Sequence, residues 1–148
     1  MERRDDNFKS MGFSWFTGEV TKVAADGTNR VKVYPHGYYD EKFNSTDDKV
    51  ADKLPWASVM MPCTTAGTDT SHQNHSLEVG SWVVGFFRDG PSAQDPIIMG
   101  TIQGKDKPTL ASPDVKQQRF QGGQNIIFDN KAGTITLAGS TVGKVIIL

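Results

Sequence analysis

The chain has 148 residues, enough for one ordinary domain or for one small domain with an extension, and a chain of this size buries roughly two-thirds of its unfolded surface. Its 16 basic and 17 acidic side chains leave a net charge of -1, with no Lys/Arg stripe of the kind that tracks a phosphate backbone, so nucleic acid is not an expected partner. The single cysteine, Cys63, excludes an intramolecular disulfide and fits synthesis in a reducing compartment.

The first twelve residues are charged and carry no apolar h-region, and no stretch of the chain approaches the roughly 18 apolar residues of a membrane span. They are expected to form an N-terminal arm without a signal, on a chain with no stable membrane insertion. The 15 glycines and 7 prolines fall between short apolar runs, which favours many short strands over long helices.

The first strand signal runs from Phe13 to Ala24, with Trp15, Val20 and Val23 interleaved among polar residues, and Ala25 to Asn29 supplies turn chemistry around Gly27. From Arg30 to Tyr34 the chain alternates strictly, which puts Val31 and Val33 on one face and the two basic residues on the other. Pro35 to Lys53 is polar and reads as a surface loop with one helical turn at most. Leu54 to Pro62 is an apolar run bounded by prolines, the mark of a buried strand, and the stretch from Thr64 to Ser76 is polar again.

Ser81 to Gly90 shows too few breaks in its hydrophobicity for a half-wet strand, so it is expected to be central and buried, with Gly85 marking a bend or bulge. Asp95 to Ile102 enters the next strand through Pro96. Five strand signals between Phe13 and Ile102 suit a small closed barrel, because closure removes the edges an open sheet would expose. Residues 105–121 offer almost nothing to pack and read as a linker. After it, Ile126 and Phe128 share one face of a strand, Ile135 and Leu137 share one face of another, and Asp129 to Gly133 turns between them. A third strand signal, Lys144 to Leu148, closes the sequence on apolar residues.

Several segments together carry a resemblance. Gly18-Glu19-Val20, Arg30-Val31-Lys32-Val33, Leu54-Pro55-Trp56-Ala57, Gly80-Ser81-Trp82-Val83-Val84-Gly85-Phe86-Phe87 and Asp95-Pro96-Ile97-Ile98-Met99-Gly100, in that order, are similar to the N-terminal OB-fold domain of phage baseplate central spike proteins, a domain shared with type VI secretion spikes. Asn125-Ile126-Ile127-Phe128-Asp129-Asn130 followed by Gly133-Thr134-Ile135-Thr136-Leu137 resembles the opening of the trimeric β-helix of such spikes. The resemblance implies an all-β chain: an arm (1–12), a five-stranded OB-fold barrel (13–104), a linker (105–121) and the start of an intertwined trimeric β-helix or β-prism (122–148).

It also implies a structural role in a contractile tail baseplate, in a virion assembled from protein made in the host cytoplasm. The implied partners are two further copies of the chain, a hub protein above the barrel and a separate tip protein at the C-terminal end. Trp15, Trp56, Trp82 and Phe86 are the expected core or interface residues of the barrel, and Ile126, Phe128, Ile135 and Leu137 the expected core of the shaft. Some family members place a lysozyme domain between barrel and β-helix. Here the linker leaves no room for one, so no enzyme activity is expected.

Other chemistries find little support. His72-Gln73-Asn74-His75 with Asp69 has a metal-like spacing but lacks a second pair of ligands, and Cys63 beside Pro62 reads as a packed thiol, so neither metal nor cofactor is assigned. Glu19, Asp26, Glu41, Asp89 and Asp95 cannot be paired from sequence as glycosidase chemistry requires. No Gly-x-Ser-x-Gly elbow and no phosphate-cradling glycine loop occurs. An OB barrel that binds single-stranded nucleic acid through Lys22, Arg30, Lys32 and aromatic residues, or a sugar through Tyr34, Tyr38 and Tyr39, stands as the alternative.

Overall fold

In the computed structural model, residues 13–39, 48–109 and 112–139 are described, and they form two compact units, residues 1–106 and 107–148. In the first, β1 (Trp15–Val23), β2 (Arg30–Pro35), β3 (Trp56–Val59), β4 (Trp82–Phe87) and β5 (Pro96–Ile102) close into a barrel of order β1-β2-β3-β5-β4. A short helix, α1 (Asp48–Lys53), precedes β3, and a 3-10 turn (Gly90–Ser92) lies between β4 and β5.

Closure depends on β1 serving two partners. Its first half pairs with β4, from Trp15↔Phe86 to Glu19↔Trp82, and its second half pairs with β2, from Gly18↔Pro35 to Val23↔Val31, with a bulge between Val20 and Lys22. Bulges sharpen the local bend, which a strand needs if it is to leave one neighbour and join another. Gly18 sits at the changeover. A Cβ there would lie 2.6 Å from the Tyr34 carbonyl oxygen, so only glycine lets β2 approach. The β1–β2 turn is held by Asp26, whose Oδ1 accepts the backbone N–H of Thr28 at 3.0 Å.

The interior is filled by Phe16, Val20, Val31, Val33, Ala57, Val83, Phe87, Ala93 and Ile98. None of the expected barrel residues belongs to it. Trp15 is 58% exposed, and Trp56, Trp82 and Phe86 are half-buried. Parity decides this: Phe16, Gly18 and Val20 of β1 and Val83, Gly85 and Phe87 of β4 point inward, so their large aromatic neighbours must point out. β4 is central, flanked by β1 and β5, yet its burial alternates instead of covering both faces. Gly85 does mark a bulge, since the β4–β5 register shifts between Val84 and Gly85. A side chain at Gly85 would meet the Ile97 carbonyl and the tip of Phe16.

Lys32, outside the apolar parity of β2, is nonetheless buried, with the end of α1 against it. Two other expectations change. Cys63 is exposed, not packed. Apart from Trp56–Val59, the Leu54 to Pro62 run is not strand, and Met60 is 51% exposed.

In the second unit, β6 (Val115–Arg119), β7 (Asn125–Asp129) and β8 (Thr134–Ala138) form an antiparallel sheet in that order. The segment expected to be linker as far as Gln121 therefore contains a strand, paired to β7 from Val115↔Asp129 to Arg119↔Asn125. Asp129 builds the β7–β8 turn by accepting the N–H groups of Lys131 (2.9 Å) and Ala132 (2.8 Å), and Gly133 adopts φ 65°. The N-terminal arm (1–12) and the third strand signal, Lys144 to Leu148, lie outside the described residues.

Candidate interaction surfaces

Residues directly opposite one another in a ladder share a face, so the register maps the surfaces of both units. Across β1, β4 and β5 the outward rows read Trp15–Phe86–Ile97, then Thr17–Val84–Gly100, then Glu19–Trp82–Ile102. Met99 is skipped by the ladder at the bulge and stands out on the same wall, 43% exposed. Phe13 packs on Phe86 with ring centroids 5.3 Å apart and is itself 64% exposed. The wall is therefore an apolar strip with one carboxylate, Glu19, at its end. Strips of this kind on a soluble protein mark contact surfaces.

Across β1, β2 and β3 the corresponding row is Lys22–Lys32–Trp56. Here the cations are already engaged. Lys32 Nζ donates to the Asp52 carbonyl at 2.6 Å, at the C-terminal end of α1, and lies 5.1 Å from the Trp56 ring centroid. Lys22 Nζ donates to Asp52 Oδ1 at 2.9 Å. That hydrogen bond, then the Lys22 charge, holds the Asp52 carboxyl below its usual range. The Arg30 guanidinium stacks 5.4 Å from Trp56 and pairs loosely with Asp26 at 3.8 Å. Placing a cation at the carbonyl end of a helix is favourable, so this row fastens α1 to the barrel instead of offering free charge to a phosphate backbone.

The tyrosines weighed as a sugar platform also bind their own chain. Tyr38 donates to the Trp15 carbonyl at 2.7 Å, Tyr39 to the Ala93 carbonyl at 2.8 Å and Tyr34 to the Tyr39 carbonyl at 3.3 Å. Burial raises the Tyr39 hydroxyl above its ordinary pKa. Trp82 is covered by Gly104, where a Cβ would clash with the indole, and by His36, whose ring meets it edge-on at 4.8 Å.

In the β3–β4 loop, His72 Nδ1 lies 3.1 Å from the Thr68 carbonyl, and His75 Nδ1 accepts the Leu77 N–H at 3.0 Å. Among the described residues no three His, Cys, Asp or Glu side chains gather as a metal site. Of the carboxylates considered for acid–base work, Asp89 accepts the N–H groups of Gln94 and Asp95, Asp95 forms a two-point ion pair with Arg88 (2.6 and 3.0 Å), and Asp26 shapes its turn. Glu41 lies outside the described residues.

On the second unit, β7 and β8 put Ile126 opposite Leu137 and Phe128 opposite Ile135, so all four expected shaft residues lie on one sheet face, with Gln118 and Lys116 beside them on β6. Ile135 is 72% exposed, Leu137 56% and Phe128 47% in the single chain. Trp15, Trp82 and Phe86, expected as core or interface residues, all lie on the apolar barrel wall; that they share one outer face was not read from sequence. The signal was present in Trp82 to Phe87, where both parities are apolar though a barrel has only one interior.

The family model described as the Gp5 N-terminal OB domain matches residues 37–118, just over half of the chain. The chain belongs to the Gp5 N-terminal OB domain family. The match takes in β3, β4 and β5 of the barrel and reaches into β6. Protein Gp5 of Vibrio phage KVP40 is 31% identical over 96 residues, which cover 63% of this chain and 23% of that relative. The chain thus spans about a quarter of the length of the relative it matches. Family and relative together bear out the resemblance to phage baseplate spike proteins, and with the closed barrel they support a structural role in a phage baseplate.

Proposed function

We propose that this Gp5-type chain is a non-enzymatic part of the central spike of a contractile phage tail, working as a homotrimer in the virion and aiding passage through the host envelope. The barrel joins the spike to a hub protein, and the sheet after it begins an intertwined trimeric β-structure that a tip protein completes. The observation that carries this reading is the single patch formed by Ile126, Phe128, Ile135 and Leu137. Three strands with one apolar face in water are marginal by themselves. Winding three copies about an axis buries those four side chains against their counterparts and pairs the open edges of β6 and β8. Each large side chain fully buried in this way contributes about 1.5–3 kcal/mol.

The hub surface we assign to the β1–β4–β5 wall around Trp15, Phe86 and Met99. Stiffness is what a spike requires, and a closed ladder supplies it because separating any strand breaks hydrogen bonds on both sides together with interior packing.

Light scattering tests the assembly. The full chain is expected to run as a trimer, and the double variant Phe128→Ser/Ile135→Ser, or a chain cut after Pro113, as a folded monomer with an unchanged barrel. A monomeric full-length chain in dilute buffer sinks the reading. Clearing of a cell-wall suspension that a single carboxylate substitution abolishes would overturn its non-enzymatic part.

A further inference from the structure

The longest described connection of the barrel, residues 60–81 between β3 and β4, is pinned at its far end by Gly80 and Ser81 on Val20 (both 2.8 Å) and carries, just before that, a histidine whose bonding needs a neutral ring. The backbone N–H of His75 donates to Asn29 Oδ1 at 3.1 Å, across 46 residues of sequence, and Asn29 itself sits in the left-handed region at φ 56°. Asparagine tolerates that conformation better than most side chains. Two residues on, the backbone N–H of Leu77 donates to His75 Nδ1 at 3.0 Å. A backbone N–H can only donate, so Nδ1 carries a lone pair and the ring proton resides on Nε2. Leu77 in turn, like Val23 and Val59, is partly buried against the interior.

We propose that Asn29, His75 and Leu77 form a proton-released latch: the Asn29 bond fixes the His75 backbone, neutral His75 Nδ1 holds the Leu77 N–H, and protonation of Nδ1 frees Leu77. A proton on Nδ1 would face the Leu77 N–H donor to donor, so the bond must break and the amide must find water. Leu77 then loses one tie beside the interior against which its side chain packs, and its amide opens more often at acid pH. The proposal stands apart from the baseplate reading, since it concerns the barrel alone.

The surroundings favour the neutral ring. Burial lowers the His75 pKa from its ordinary 6.5, and no charged neighbour contributes to the shift. The charged groups of the joined segments are Asp26 and Arg30 in the turn, which pair with each other, and Asp69, His72 and Glu78 in the loop. The sign follows: with the folded pKa below the unfolded value, the unfolded chain binds more protons between the two, so the latch is at full strength above about pH 6.5 and weakens as pH falls through that window.

NMR on the full chain tests it. At neutral pH the His75 nitrogen shifts should report an acceptor Nδ1 and a protonated Nε2. Lowering the pH from 8 to 5 should reduce the exchange protection of the Leu77 amide by about tenfold, the loss expected for one net hydrogen bond, and leave Val83 in β4 unchanged. His75→Asn keeps an acceptor oxygen for the same N–H without titrating, so its Leu77 protection should not respond to pH. A His75 ring titrating at or above 6.5, or equal pH responses at Leu77 in both proteins, would overturn the latch.

Discussion

The two units of this chain use the same element, the antiparallel strand, and reach opposite states of completion. Among the described residues, every barrel strand has two ladder neighbours around an interior of nine buried residues, whereas the sheet of β6, β7 and β8 has two open edges and its largest apolar side chains in solvent. The difference lies in where the apolar residues sit relative to closure. β1 is nine residues long and bulged, so it can serve two neighbours and turn one face wholly inward. β6 to β8 are three strands, too few to close around an interior of their own. An open edge is a template for pairing with another chain.

The strongest way to break that contrast is to empty the barrel. Phe16 is 2% exposed and packs against Phe87 with ring centroids 4.8 Å apart. Phe16→Ala should cost about 3–5 kcal/mol, the range for a buried aromatic truncated to a cavity. Urea denaturation of the chain cut after Pro113 measures it, free of any contribution from assembly. A loss below about 1 kcal/mol, the size expected of a surface change, would mean that the interior does not hold the barrel.

A smaller effect separates fastening from charge. Lys32→Met keeps the apolar stem over Trp56 but leaves the Asp52 carbonyl without its 2.6 Å partner, at a cost of about 1–3 kcal/mol. If stability in urea is unchanged, α1 does not depend on this lysine. If the row instead serves nucleic acid, a salt-sensitive gel shift with single-stranded DNA would appear in the wild type and weaken in the variant.

The sequence exposed these features unequally. β2 was legible because it has one apolar parity, Val31 and Val33, whereas β1 was legible as a strand but not in its inward face, since Trp15 and Val23 stand on the parity opposite to Phe16 and Val20. The hairpin of β7 and β8 was legible from Asp129 to Gly133. In β4, by contrast, Trp82-Val83-Val84-Gly85-Phe86-Phe87 is apolar on both parities, and only pairing with β1 and β5 decides that the smaller Val83 and Gly85, with Phe87, go inward. The burial of Lys32 depends on a helix 20 residues further along, which no local period reveals. β6 went unread because Val115-Lys116-Gln117-Gln118-Arg119 has one apolar residue in five. Its pairing to β7 is a property of β7's hydrogen-bonding edge and not of its own side chains.

The smallest effect on folding is expected at the wall, and for that reason it discriminates best. Trp15 is 58% exposed, and what the rest of the barrel uses of it is its backbone carbonyl, which accepts the Tyr38 hydroxyl at 2.7 Å and survives any change of side chain. Trp15→Ser should therefore change barrel stability by less than about 1 kcal/mol, as surface substitutions generally do. A large exposed aromatic in an apolar strip is nonetheless the residue type that dominates a contact once a partner covers it. Incorporation of the variant into tail particles should then fall while its melting temperature holds. A lowered melting temperature would show that the indole braces the barrel, and normal incorporation with normal stability would remove the β1–β4–β5 wall as the hub surface.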